Sequence, residues 1–431
     1  MLHIILNTFG RRPGDAVWPG RGAAGLLRAG GKIMLLDTAA AFFRFGLARS
    51  RIGVARPSQT AAISCLAATL FCLAAIPLWP GADPAHGEIR FPMTAGGPQM
   101  AVLPFANYSE TVAAPRTIYP ILYAELDRHP LQYIDHEDLR PILRANRIRS
   151  MGMIGADNAR LIRADTGVAY LLLGSFDIYA DLENPEVAIS ARLVRVADMI
   201  VVAAASAAAA GQDYAGIFGI GRVTDIREVA SRVARDLVHR LDASLKTAAH
   251  THRVNGSPRA PQGSKPLRVA VVPFDNLSKS LYGGYVVSTI LISEMANAGL
   301  QVLEPGTVHR IFLNLHSVPR GGISRPLRDE VARVLTPDAI VTGTVAEFNT
   351  AQGVVEEAAP ELRFGARMLD ASTGSIVLSR NMDVSGTDSQ LIFRFGRRHS
   401  LGGLVRAAMH EFVEAMHEAE AQLAAGGSPA P

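Results

Sequence analysis

The chain has 431 residues and a net charge of +4, with 48% hydrophobic and 19% charged residues, which allows two or three domains and excludes disorder throughout. Nine Lys and Arg residues against two acidic residues lie within positions 1–60, so the rest of the chain is close to neutral. A near-neutral body argues against a general nucleic-acid binder, and we expect no nucleic-acid partner.

The N-terminal stretch, residues 1–60, is basic, and its first part is rich in Gly and Arg without clear periodicity. The basic segment that opens a secretion signal is usually far shorter. We therefore expect residues 1–60 to be disordered or to precede the true translation start, for which Met34 is one candidate.

Residues 61–79 form an uncharged run of 19 residues (AAISCLAATLFCLAAIPLW), long enough to cross a bilayer as a helix. Arg49, Arg51 and Arg56 precede it, so the positive-inside rule keeps the N-terminus in the cytoplasm and sends the rest outward. We predict a signal or transmembrane helix and a periplasmic protein, anchored in the inner membrane or released by cleavage. A lipoprotein modified at Cys65 and a buried core helix are the alternatives.

The chain contains an internal repeat. Residues 101–109 (AVLPFANYS) match residues 270–278 (AVVPFDNLS), a shift of 169 positions from Pro104 to Pro273. Further along, the shift becomes 175 positions, as from Arg192 to Arg367. We predict two tandem domains, at 88–245 and 267–425, a flexible linker at 246–266 that is rich in Pro, Gly and Ser, and a tail at 426–431.

Each copy has the same predicted order of elements, βαβααβββα. In the second copy these are strand 267–274, helix 285–298, strand 300–303, helices 307–315 and 327–335, strands 339–348, 362–370 and 375–384, and a closing amphipathic helix with Leu404, Ala408, Phe412, Ala415 and Met416 on one face. Parallel connections early and a hairpin late predict an α/β fold, in which helices pack on a mixed sheet.

Three motifs in this order carry a family resemblance: a strand followed by Pro-Phe-x-Asn-x-Ser, an acid-led helix at Ile134–Leu143, and the turn Leu369–Gly374. They resemble the periplasmic domain of the curli secretion component (CsgG-like) family and the related domains of FlgO, LpoB and the TolB N-terminus. The resemblance implies an envelope scaffold that assembles into rings or docks on partners. The connections 349–361 and 387–390 are too short for barrel-forming hairpins, so we expect no pore.

The repeated loop after the first strand of each copy is one candidate site. Its residues are Pro104, Phe105, Asn107 and Ser109 in the first copy and Pro273, Phe274, Asn276 and Ser278 in the second. The loop is open to two interpretations, a ligand-binding loop or a structural turn. The structural interpretation is favoured: Phe enters the core, Pro ends the strand, and Asn and Ser bond the turn backbone.

A basic cluster in the second copy is the other candidate, formed by Arg394, Arg397 and Arg398 next to His399. It would suit an anionic lipid or glycan. The alternative is an ordinary solvated loop.

We expect no catalytic set, no metal site and no cofactor. Cys65 and Cys72 both lie in the apolar run, so no cysteine remains downstream. His136 with its two acidic neighbours is better explained as a helix start than as metal ligands, since no paired spacing of zinc ligands occurs. The glycines at 216–221 are spaced unlike a phosphate-binding loop.

These observations predict a non-enzymatic protein of the bacterial envelope. It would be a scaffold or accessory of a secretion, surface-structure assembly or cell-wall machine, and its partners would be other envelope proteins and itself, with the membrane contacted through residues 61–79. The alternative is a periplasmic module that binds a small ligand or a glycan in the crevice between the two domains.

Overall fold

The structure is a computed structural model. It describes residues 100–129, 132–149, 152–216, 220–255, 266–317, 322–350, 359–388 and 397–424. The predicted apolar helix at 61–79 lies outside these ranges. Within them, no helix combines the length and the apolar character that a membrane crossing needs.

The first copy follows the predicted order, with one additional short strand after the Pro-Phe motif. Its elements are β1 (Met100–Val102), β2 (Ala106–Asn107), α1 (Ala113–Leu126), β3 (Tyr133–Ile134), α2 (His136–Ala145), α3 (Ala156–Thr166), β4 (Tyr170–Ala180), β5 (Glu186–Arg195), β6 (Ile200–Ala210) and α4 (Ile226–Asn255).

The second copy repeats that order element by element. It consists of β7 (Arg268–Val271), β8 (Asp275–Asn276), α5 (Gly283–Asn297), β9 (Gln301–Val302), α6 (Pro305–Asn314), α7 (Arg325–Leu335), β10 (Ala339–Asn349), β11 (Glu361–Asp370), β12 (Ile376–Ser385) and α8 (Leu401–Ala424).

The two sheets have the same strand order. The first runs β3-β1-β4-β5-β6 and the second β9-β7-β10-β11-β12, and the short strands β2 and β8 pair with β4 and β10. The early strands are parallel and the last three are antiparallel in both sheets. The predicted mixed α/β fold in two similar tandem domains is therefore confirmed.

Local sequence signals set several of the helix ends. Asp135 precedes α2, and its carboxylate accepts a hydrogen bond from the backbone N–H of Asp138 at 2.8 Å, so His136 does begin a helix. Gly299 follows α5 with a φ of +85°, a conformation that glycine adopts without strain, and it ends that helix as the sequence predicts.

The first half of the predicted flexible linker is helical in the structure. Helix α4 continues to Asn255, so residues 246–255 are helical. All the Gly and Pro residues of the predicted linker lie after Asn255, whereas Lys246, Thr247 and the alanines after them are compatible with a helix. The composition of residues 246–266 taken as a whole therefore does not distinguish the helical first half from the second half.

The copies are stacked head to tail and share one hydrophobic core. Helices α1 and α4 cover one face of the first sheet. Helices α5 and α8 lie between the two sheets, and α6 and α7 cover part of the far face of the second sheet. Because the core cluster around α5 and α8 contains buried residues of both sheets, the described residues form one packed unit.

The last three strands of the second sheet have a face that no described helix covers. In the first sheet the equivalent face is buried against α5 and α8: Ala188 there is 1% exposed. Its counterpart in the second sheet is Arg363, whose side chain is 51% exposed. The repeated fold thus ends on a charged face, as terminal repeats commonly do.

Candidate functional site at the junction of the two copies

Small side chains bring the copies into close contact. Strand β6 (IVVAAASAAAA) is mostly alanine, which leaves room for helices on both of its faces. Gly402, at the start of α8, lies so near this sheet that a Cβ there would stand 2.5 Å from the Cβ of Ala208 and 2.9 Å from that of Ala188. A larger residue at Gly402 would push α8 away from the first sheet.

A buried ion pair crosses the junction. Arg192 of β5 donates from Nε to Glu304 Oε2 at 2.7 Å and from Nη2 to Glu304 Oε1 at 2.8 Å. The two side chains are 3% and 0% exposed. Arg192 also donates to the backbone oxygen of Gly152, and Glu304 accepts from the backbone N–H groups of Ile154 and Gly306. These bonds satisfy both charges, which a buried ion pair requires.

The repeat relates this pair to two surface residues. Arg192 corresponds to Arg367 on the charged face of the second sheet, and Glu304 corresponds to Asp135 at the start of α2. Both Glu304 and Asp135 cap a helix N-terminus through the side chain. The same two positions are therefore buried where the copies meet, whereas away from the junction Asp135 is half-exposed and Arg367 is exposed.

Beside the ion pair, three tyrosines form one wall of a pocket. Tyr108 of the first copy stacks on Tyr285 of the second, with ring centroids 5.5 Å apart and planes at 21°, and lies 5.4 Å from the ring of Tyr282. The cavity measures about 360 Å³. It is lined by Tyr108, Arg149, Met153, Gly155, Asp157, Asn158, Tyr282, Tyr285, Gly306, His309, Arg310 and Leu313.

Burial sets the protonation of two groups in this pocket. It raises the pKa of the Tyr108 hydroxyl well above its usual range, so that hydroxyl stays neutral at ordinary pH. Burial also lowers the pKa of His309, which favours a neutral imidazole near pH 7.

Two further carboxyl groups are buried in the first copy. Asp177 accepts hydrogen bonds from the hydroxyls of Ser175 and Ser190, and burial nevertheless raises its pKa to about 7. Glu186 accepts from the backbone N–H of Gly402 across the junction, and burial raises its pKa to about 7 as well. The core of the first copy therefore contains two carboxyl groups whose pKa is about 7.

These carboxyls give the unfolding free energy a pH dependence. Between about pH 4 and about pH 7, these two carboxyls are still protonated in the folded state but have lost their protons in the unfolded state. The free energy of unfolding therefore falls as the pH rises through this range. We expect Asp177→Asn to reduce the fall by up to about 1.4 kcal/mol per pH unit. Urea unfolding of both proteins across the window measures it, and an unchanged slope would contradict the assignment.

The four motif residues of each repeated Pro-Phe-x-Asn-x-Ser loop do not line the pocket, although Tyr108, between Asn107 and Ser109, does. Phe105 and Phe274 are 7% and 4% exposed. The Asn107 side chain accepts from the Ser109 hydroxyl and donates to the backbone oxygen of Thr111, and the loop after Pro273 has the same pattern. The arrangement agrees with a turn that holds its own backbone, and a ligand role for these loops stays a prediction.

The basic cluster is described only in part, since Arg394 lies outside the described residues. Arg398 bonds its own segment: its backbone N–H donates to Gly386 O at 2.9 Å and its Nη1 to Gly403 O at 3.4 Å. The neighbouring His399 N–H donates to Asp213 of the first copy. Arg397 and Arg398 therefore stand beside the junction of the copies, and lipid or glycan binding there stays untested.

His136 has an aromatic environment. Its ring stacks on Tyr119 with centroids 4.0 Å apart, and its Nδ1 lies 2.6 Å from the hydroxyl of Tyr123. Burial lowers its pKa. Among the described residues, no group of three or more His, Cys, Asp or Glu side chains is arranged to hold a metal ion.

The sequence suggested a crevice between the domains as an alternative site, but none of the pocket's tyrosines and neither residue of the ion pair was identified as a site residue. The tyrosines are specific to one copy each: Tyr108 corresponds to Leu277, Tyr282 to Ala113 and Tyr285 to Arg116. Aligning the copies and noting where they differ would have marked these positions. Their convergence depends on how the copies pack, which a reading of each copy alone does not reveal.

No protein-family model and no curated protein matches the chain. Solved structures match in fold. The crystal structure of lipoprotein GNA1162 from Neisseria meningitidis is 20% identical, covering 34% of this chain and 96% of that chain, with a TM-score of 0.26. The PelC dodecamer from Paraburkholderia phytofirmans is 18% identical, covering 35% and 89%, with a TM-score of 0.24.

LpoB and TolB, both named in the resemblance above, are also among these structures. The LpoB C-terminal domain from Escherichia coli is 14% identical, covering 31% of this chain and 93% of that chain, with a TM-score of 0.21. TolB from Acinetobacter baumannii is 16% identical, covering 36% and 28%, with a TM-score of 0.21. At such values no function is transferred, and membership of the curli secretion component family stays a prediction.

Proposed function

We propose that the chain is a non-enzymatic accessory protein of the bacterial envelope, acting through contacts with other proteins of a secretion, surface-assembly or cell-wall machine. The observation that carries this proposal is the uncovered face of strands β10–β12, called the open face below. The same face of the first sheet holds the helix pair α5 and α8. The fold therefore already uses this surface to bind a helical partner.

The open face has a defined charge pattern. Arg363 bridges two acids, with Nη1 3.2 Å from Glu347 Oε1 and Nε 3.0 Å from Asp383 Oδ2. Arg367, exposed beside them, has no carboxylate partner in the described part of the chain. Since its counterpart Arg192 binds a carboxylate at a helix start, a partner that offers a carboxylate in the same place would complete the pattern.

Localisation follows from residues 61–79, which would carry the chain to the periplasm and hold it at the inner membrane or release it after cleavage. Fractionation followed by sequencing of the mature N-terminus tests this. Recovery of the full chain in the cytosol, with residues 61–79 intact, would contradict the envelope assignment.

Cross-linking tests the open face directly. A photo-reactive amino acid placed at Ser379, the β12 residue opposite Arg367, should give a discrete adduct with an envelope protein in intact cells. Arg367→Glu should reduce the adduct roughly tenfold, because it places a like charge against the partner's carboxylate. Arg325→Glu, at an exposed position on α7, is the matched control and should leave the adduct unchanged. Equal loss in both variants, or no adduct at all, would count against the proposal.

A second candidate function is ligand binding in the pocket between the copies. The observation that favours it is the convergence of polar side chains from both copies on one concave, tyrosine-walled site. It requires no change to the first proposal, because the open face and the pocket are formed by different residues.

A further inference from the structure

The pocket between the copies contains several polar groups that have no hydrogen-bond partner among the residues that the structure describes. In the described part of the chain, the hydroxyls of Tyr282 and Tyr285, the amide of Asn158 and the imidazole of His309 make no hydrogen bond. All four side chains are half-buried. Half-buried polar groups without a protein partner bond water, which the donors and acceptors of a ligand can replace.

Charge in the pocket is unbalanced towards positive. Arg149 and Arg310 are exposed and have no carboxylate within ion-pair distance among the described residues. The carboxylate that lines the pocket, Asp157, is already paired with Arg160 at 2.5 Å. Two unpaired guanidinium groups over a concave site favour an anion, which they can bind in a bidentate manner.

The walls favour a ring. The half-buried Tyr282 and Tyr285 offer aromatic surface, backed by the buried ring of Tyr108, and Met153 and Leu313 add apolar surface. Leu313 is 55% exposed, a large apolar side chain at the pocket rim. Aromatic faces edged by hydroxyl groups combine apolar contact with directed hydrogen bonds, which suits the apolar face and the hydroxyl groups of a sugar ring.

We propose, on the basis of the second candidate function, that this pocket binds an acidic saccharide unit: a sugar ring that carries a carboxylate or a phosphate group. The tyrosines stack on the ring, the Tyr282 and Tyr285 hydroxyls and Asn158 bond its hydroxyl groups, and Arg149 and Arg310 bind the anion. A volume of about 360 Å³ lies at the lower end of the usual range for small-ligand sites and fits one such unit.

Calorimetric titration of the full chain with four probes tests the proposal: glucuronate, glucose 6-phosphate, glucose and inorganic phosphate. At least one of the two acidic sugars should bind roughly tenfold or more tightly than glucose and than phosphate, and the affinity should fall as salt is added. The stronger of the two acidic sugars identifies whether the pocket is built for a carboxylate or a phosphate.

Two variants separate the roles. The double variant Arg149→Ala/Arg310→Ala should lose the preference for acidic sugars over glucose. Tyr285→Phe keeps the ring and removes the hydroxyl, so it should weaken both acidic sugars and glucose and leave phosphate unchanged. Arg325→Ala, at an exposed position on α7, is the matched control and should bind as the parent does. Unchanged thermal unfolding establishes that each variant is folded.

Four results would overturn the proposal: equal affinity for glucose and the acidic sugars, phosphate binding as tightly as the sugar phosphate, no binding by any probe, or loss of binding in the control variant. None of these bears on cross-linking at the open face, so the pocket can fail while the accessory function stands. Conversely, if the Ser379 adduct is absent and the sugars still bind, the accessory function fails while the pocket proposal stands.

Discussion

Replacing Glu304 by Ala is expected to lower the free energy of unfolding by about 3–5 kcal/mol, because it leaves the buried guanidinium of Arg192 without its counter-charge. The carboxylate is fully buried, accepts two bonds from Arg192, and caps helix α6. Urea-induced unfolding followed by circular dichroism gives the change.

Two matched variants divide that loss into its parts. Asp135→Ala removes the equivalent helix cap in the first copy, at a half-exposed position, and should cost about 1 kcal/mol. Arg367→Ala removes the exposed counterpart of Arg192 and should change stability by no more than about 0.5 kcal/mol. If Glu304→Ala costs no more than Asp135→Ala, the ion pair contributes nothing beyond the cap and the account of the junction fails.

Replacing Ala188 by Arg is the second change with a large expected effect. It introduces the residue found at the equivalent position of the second copy, Arg363, into a site that is 1% exposed and faces α8. An arginine there must either displace the helix or bury an unpaired charge, so we expect a loss of at least about 3 kcal/mol. Thermal and urea unfolding measure it.

The reverse exchange is the control. Arg363→Ala on the open face removes a side chain that is 51% exposed and pairs with two exposed or half-exposed acids, so it should cost less than about 1 kcal/mol. Comparable costs for the two exchanges would contradict the assignment of one face as an interface and its equivalent as a free surface.

The fold was predictable because the repeat shows the same elements twice. The strand before Pro104 reappears before Pro273, and a helix follows each, so weak signals in one copy reinforce those in the other. Given the element order βαβααβββα, the usual connections between elements predict a mixed sheet with helices packed on it. Helix α4 departs from this success because it extends to Asn255, beyond the position equivalent to Ala424, where the described part of α8 ends.

The shared core was not predicted, although a signal for it existed. Helix α5 is apolar on all sides: Val286, Ile290 and Leu291 are all buried and cannot lie on one stripe. A helix of that kind must be covered from two directions, and one sheet covers it from one direction only. Strand β6, with alanines on both faces, carries the matching signal in the first copy.

The candidate site was out of reach for a different reason. Arg192 and Glu304 are 112 positions apart in the chain, and neither belongs to a motif with a recognisable spacing. The pocket likewise joins Tyr108 to Tyr285 from different copies. Such partners are fixed by the packing of one copy on the other. A comparison of the copies marks the positions that differ, but it does not show which of them meet.

Native-state hydrogen exchange on the full chain, comparing the parent with Glu304→Ala, most directly tests whether the two copies are one cooperative unit. We predict that the slowest amides of β5 in the first copy and of β11 in the second lose protection by the same factor, since both exchange through one global opening. A loss of protection confined to the second copy, with β5 unchanged, would show that the copies fold independently and would contradict the shared core.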